Sequence, residues 1–60
     1  MLTEAQTAKV AELEKRIEYA RNEYWRAAIE YKPGSLEVHL AFLDWQTEER
    51  NLTGYLGNLI

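Results

Sequence analysis

Cysteine is absent from the 60 residues, so neither a disulfide nor a thiolate zinc site can staple the fold. Backbone breakers are scarce as well, with one proline and three glycines. No apolar run approaches the ~20 residues of a membrane span, and no membrane partner is expected. The opening Met1-Leu2-Thr3-Glu4 has neither a basic n-region nor an apolar core, so no signal peptide is expected. Asn51-Leu52-Thr53 matches the glycosylation sequon, a chance match where no secretory signal accompanies it. Glycine-rich phosphate loops, a nucleophile elbow and a His/Glu zinc helix are all missing. What is present is an apolar share of 47% and a charged share of 28%, too apolar for a disordered tail. A chain this short forms one domain and buries only about 60% of the surface that it exposes when unfolded.

The net charge of −3 is unevenly placed. Residues 1–32 carry six basic and six acidic groups, whereas residues 33–60 carry Arg50 against Glu37, Asp44, Glu48 and Glu49. A phosphate-backbone binder concentrates positive charge on one face, because counterion release drives its affinity. Lys9, Arg16, Arg21 and Arg26 scatter around a helix instead, and nucleic acid is the least favoured partner.

Strong breaker chemistry occurs at one place, Lys32-Pro33-Gly34-Ser35, which predicts a turn over 32–35 between two helices. Thr3 followed by Gln6 has the spacing of a capping box, so the first helix is expected over 4–31. Within it Val10, Leu13, Ile17, Ala20, Tyr24, Ala27 and Tyr31 alternate steps of three and four, a heptad seam for a facing helix. Ser35 can cap a second helix with Glu37 in its first turn, expected over 36–53. Leu36, Val38, His39, Phe42, Leu43, Trp45 and Leu52 spread over more than half of its circumference, and Glu37, Asp44, Glu48 and Asn51 remain as a narrow polar strip. Gly54 is a plausible stop, leaving an apolar segment over 54–60. Alternatively the helix runs on through both glycines at ~1 kcal/mol each, since Leu52, Leu56 and Leu59 continue its apolar face.

A short turn makes the helices antiparallel neighbours, which places Tyr31 level with Leu36, Tyr24 with Leu43 and Ile17 with Arg50. The expected fold is an all-α antiparallel helical hairpin. A lone helix pair buries one stripe of each helix, so the wide apolar arc of the second calls for a partner. A second copy completing a four-helix bundle is the simplest one. The expected core or dimer seam is Val10, Leu13, Ile17, Tyr24, Tyr31, Leu36, His39, Phe42, Leu43, Trp45, Leu52 and Leu56. In this layout the chain resembles the Rop family of dimeric helical hairpins, although no motif carries that family's RNA-binding residues over. The resemblance implies a two-fold helical bundle.

Catalysis is not expected. His39, the single histidine, falls on the apolar face away from Glu37 and Asp44, and is read as a core or interface residue. The pairs Glu14/Glu18 and Asp44/Glu48 stand one turn apart without the carbonyl-rich loop of calcium sites, so no metal or cofactor is expected. Trp25 and Ile29 form a second stripe outside the helical seam, with Arg21 and Arg26 nearby in sequence. Trp, Tyr and Arg supply most interface energy, which makes these residues the candidate contact site for an external protein partner; packing of Trp25 with Phe42 and Trp45 is the alternative. Tyr19 is read as a lone exposed ring. Glu37, Asp44 and Glu48 form an acidic line that could dock on a basic surface or simply aid solubility. The leading functional expectation is an adaptor or inhibitor that occludes a partner, of the kind that phages and mobile elements encode, which would act in the host cytoplasm. A minor assembly or virion component is the first alternative, and a Rop-like nucleic-acid-binding dimer the second.

Overall fold

The computed structural model describes residues 2–59, which form two helices, α1 (Glu4–Glu30) and α2 (Leu36–Asn58), packed antiparallel as an all-α hairpin. The capping box forms at the start of α1: the Gln6 amide donates to Thr3 Oγ1 at 3.1 Å, and the Thr3 amide donates to Gln6 Oε1 at 2.8 Å. Two amides that a helix start leaves orphaned are thereby satisfied. Tyr31, expected as the last helical residue, is instead the C-cap in extended conformation, and its amide donates to Ala27 O at 2.9 Å.

The turn follows from its residue types. Pro33 presets φ, Gly34 supplies a φ of +82°, and the Ser35 amide closes the turn on Lys32 O at 3.0 Å. Proline then glycine at the two central positions is the signature of a type II turn. Ser35 Oγ accepts from the Val38 amide at 3.4 Å and so begins α2.

Of the two endings that the sequence allows for α2, the longer one occurs. The helix passes Thr53, Gly54 and Gly57 and ends at Asn58, with Leu59 as its cap and the Leu59 amide donating to Leu56 O at 3.2 Å. Leu52, Tyr55 and Leu59 are half-buried, and covering them offsets the ~1 kcal/mol that each helical glycine costs. The expected segment 54–60 is therefore helical over 54–58, and Ile60 lies outside the described residues.

On α1 the heptad seam holds from Val10 to Ala27, with Leu13 only 4% exposed and Ala20 and Ala27 also buried. Tyr31, beyond the helix, is exposed. The facing seam on α2 is Val38, Ala41, Trp45, Glu48, Leu52, Tyr55 and Leu59, again in steps of three and four and all half-buried. It differs from the broad arc expected. Leu43 is 42% exposed, Leu36 and Leu56 are exposed, and His39 is exposed, so within the hairpin none of the four is core. Tyr24, expected level with Leu43, packs its ring on Phe42 and Trp45, which stand on either side of Leu43 in the sequence. The rotation of α2 follows from size: at 100° per residue Trp45 and Leu43 cannot both face α1, and the larger ring takes the seam.

The extents are 44 × 15 × 10 Å, and the Cα radius of gyration of 13.9 Å exceeds the ~10 Å of a compact 60-residue domain. The hairpin is a single layer of helices.

The two kinds of glycine predict opposite responses. Gly34→Val forces a β-branched residue to positive φ and should cost at least ~1 kcal/mol. A Cβ at Gly54 would meet nothing within 4 Å, so Gly54→Ala should stabilise by ~0.5–1 kcal/mol through helix propensity and a stiffer unfolded chain. Urea denaturation of the two variants beside the parent chain measures both.

Candidate functional site

The two broad faces of the hairpin are chemically unlike. On one, four aromatic side chains gather near the turn. Tyr24 is their hub, with ring centroids 5.5 Å from Trp45, 5.6 Å from Phe42 and 6.0 Å from Trp25, and Phe42 meets Trp45 edge-on at 6.2 Å. Edge-to-face and tilted pairs at these separations contribute ~0.5–1.5 kcal/mol each beyond area burial. The cluster is also graded in depth. Trp45 and Tyr24 are half-buried in the seam, whereas Phe42 is 37% and Trp25 57% exposed. Trp25 thus touches the cluster through Tyr24 and turns most of its indole to the surface.

Of the other residues proposed around Trp25, Arg21 shares its side of α1 and Ile29 and Arg26 do not. Ile29 is 83% exposed and projects about 40° beyond Trp25 around α1, toward the outer side. Arg26 turns the opposite way, with Nη1 3.5 Å from Glu23 Oε1. Arg21 is exposed on the aromatic side. Glu12 takes both Lys9 and Arg16 at 3.4 Å. All of these ion pairs are solvent-exposed and worth little individually.

The opposite face is a charged groove of about 800 Å³. Ala20, Ala27 and Ala41 are among its lining residues, joined by Glu12, Arg16 and Glu23 from α1 and by Glu37, Asp44 and Glu48 from α2, with Tyr19 also contributing. The acidic line expected on the free side of α2 therefore borders the groove between the helices. Glu48 goes further and occupies a seam position. Its Oε2 is buried without a hydrogen-bond partner, as is Nε1 of Trp45 one turn away. A half-buried carboxylate at an otherwise apolar seam position gives up part of its hydration, while the groove that it also lines keeps the side chain beside solvent. The sequence carries the signal in its spacing: Glu48 continues the three-four repeat through Val38, Ala41 and Trp45, but its charge disguises it as surface.

Among the described residues no group of three His, Asp or Glu side chains gathers that could hold a metal ion, and no helix is long and apolar enough to cross a membrane. The arrangement offers contact surfaces: Trp25 and Phe42 beside the seam on one face, and a groove in which carboxylates and two cations stand among Tyr19, Tyr31 and Leu40 on the other.

Substitutions at neighbouring seam positions should act in opposite directions. Trp45→Ala empties the centre of the cluster and should cost ~3–5 kcal/mol. Glu48→Leu replaces an unsatisfied carboxylate by apolar volume and should stabilise by ~1 kcal/mol or more, while Asp44→Leu, at an exposed position, should change stability by less than ~0.5 kcal/mol. Chemical denaturation followed by circular dichroism checks all three.

Comparison of the chain with protein-family models, with curated proteins and with solved structures gives no match.

Proposed function

We propose that this chain is a protein-interaction module: two copies complete a four-helix bundle, and the assembly acts as an adaptor or inhibitor by covering a partner protein's surface. It works by contact, with no catalytic step of its own.

The observation that carries this reading is the surface left uncovered. The chain exposes 4890 Å², whereas a folded monomer of 7.0 kDa exposes ~4,000 Å². The difference, ~850 Å², equals one partner's share of a standard protein interface, ~800 Å². No large side chain among the described residues is fully buried, and large apolar residues on both helices stay exposed. Apolar surface of this extent marks association sites, and a single layer of helices needs a second layer to close a core.

The melting temperature should rise with protein concentration, because dimerisation stabilises the folded state by mass action; calorimetry over a hundredfold range of concentration, paired with sedimentation equilibrium, reads it. A folded monomer whose melting is independent of concentration would contradict the proposal. Large particles would favour an assembly component instead, and strongly salt-dependent retention of nucleic acid a Rop-like role. Trp25→Ala should keep the helicity of the chain while weakening association by ~2 kcal/mol or more, as loss of an interface aromatic does.

A further inference from the structure

We infer that the groove between α1 and α2 docks a cationic amphipathic helix of a partner protein; this rests on the reading of the chain as a protein-interaction module and names the chemistry of what it covers. The lining residues run from Glu12 to Ala27 on α1 and from Glu37 to Glu48 on α2, a trough about 20 Å long at ~1.5 Å per residue, which matches a helix of about 14 residues. Ala20, Ala27 and Ala41 form its floor, and exposed Tyr19, Tyr31 and Leu40 stand at its rim. Small residues on the floor let a third helix approach closely. The rim then offers apolar contact along that helix, as grooves that take amphipathic segments do. The aromatic face is built differently, because the rings of Tyr24, Phe42 and Trp45 fill the space beside the seam there.

Concavity marks the groove, and charge selects its occupant. Acidity alone does not distinguish the faces, since Glu14, Glu18 and Glu49 make the aromatic side acidic too. In the groove, however, the pairing of five carboxylates and two cations is uneven. On the α1 side Glu12 takes Lys9 and Arg16, and Glu23 takes Arg26. On the α2 side Glu37, Asp44 and Glu48 enter no ion pair among the described residues, and Glu48 Oε2 has no hydrogen-bond partner. These three carboxylates follow one line of α2 at intervals of about 10 and 6 Å. A helix with Lys or Arg at the same intervals beside an apolar stripe sets a cation against each of them and its stripe on the alanines. Complementary potentials of this kind steer the encounter and reject partners of the wrong charge. A second copy does not meet the requirement: α2 carries Arg50 as its one cation, and carboxylates are interleaved with the cations of α1.

The probe is a synthetic helical peptide of about 14 residues, with leucine and alanine on one face and lysine along the edge of that face, beside a matched peptide in which glutamate replaces lysine. Amide resonances of the nitrogen-labelled chain are followed as each is added. The lysine peptide should shift the amides of Ala20, Ala41 and Asp44 more than those of Trp25, Phe42 and Glu49, and the glutamate peptide should not bind. Glu37→Lys combined with Asp44→Lys should raise the Kd of the lysine peptide at least about tenfold. Glu14→Lys combined with Glu18→Lys makes the same change of net charge on the aromatic side and should raise it less than about threefold. All four positions are exposed, and circular dichroism checks that helicity is kept; if the groove variant is unfolded, the map of shifts on the parent chain decides. Shifts centred on the aromatic face, equal losses in the two variants, binding of the glutamate peptide or no binding of the lysine peptide each overturn the inference. So does a groove already filled by a second copy, seen as movement of the same groove amides when the chain alone is diluted. Sedimentation equilibrium without peptide tests the dimer separately: a dimer that ignores the lysine peptide overturns the inference alone, and a monomer that binds it in the groove overturns the dimer alone.

Discussion

Two helices side by side can cover one stripe on each other and no more. The rest of this structure depends on that limit. Leu13, Ala20 and Ala27 are the only described residues that the pairing buries well, and two of the three are alanines whose burial removes little area from water. Small residues let the helices approach closely, and the large residues then have to lie at the flanks of the seam. The aromatic cluster is the outcome: Tyr24 and Trp45 reach into the seam, and Phe42 and Trp25 extend from it to the surface.

The same limit separates the faces. On the aromatic flank, side chains continue outward from the seam as a row of rings. On the other flank, alanines at the floor and a rim that mixes carboxylates with Tyr19, Tyr31 and Leu40 leave a groove. Glu48 links this division to stability, because a carboxylate oxygen without a partner occupies a seam position. Buried polar groups of this kind are known to select register and orientation at a cost in stability.

Much of the fold is legible in the residues. The capping box at Thr3 and Gln6, the Pro33-Gly34 turn and the Ser35 cap are local chemistry, set by atoms within a few positions of one another. The seam of α1 is legible for a related reason, since every large or small apolar residue in it keeps the heptad spacing. On α2 the spacing is obscured. Leu36, Leu40 and Leu43 are as apolar as the residues that face α1, and Glu48 is charged but faces it. Hydropathy alone therefore reads a broad arc where the structure has a narrow stripe. Trp25 shows how the candidate site divided in the same way. Its position outside the seam was readable, but its half-exposed contact with Tyr24 and the departure of Arg26 toward Glu23 required the rotation of both helices.

The sequence by itself determined two helices, their boundaries near the caps and the turn, and the stripe that α1 offers to a neighbour, because each of these follows from short-range hydrogen bonding or from periodicity along one chain segment. The tertiary structure alone decided which residues of α2 enter the seam, how far that helix continues past its glycines, and that the acidic line borders a groove. Those outcomes depend on competition between side chains of similar hydrophobicity for one facing surface. Such competition is settled by the size and shape of the residues across the seam, which no single stretch of chain contains.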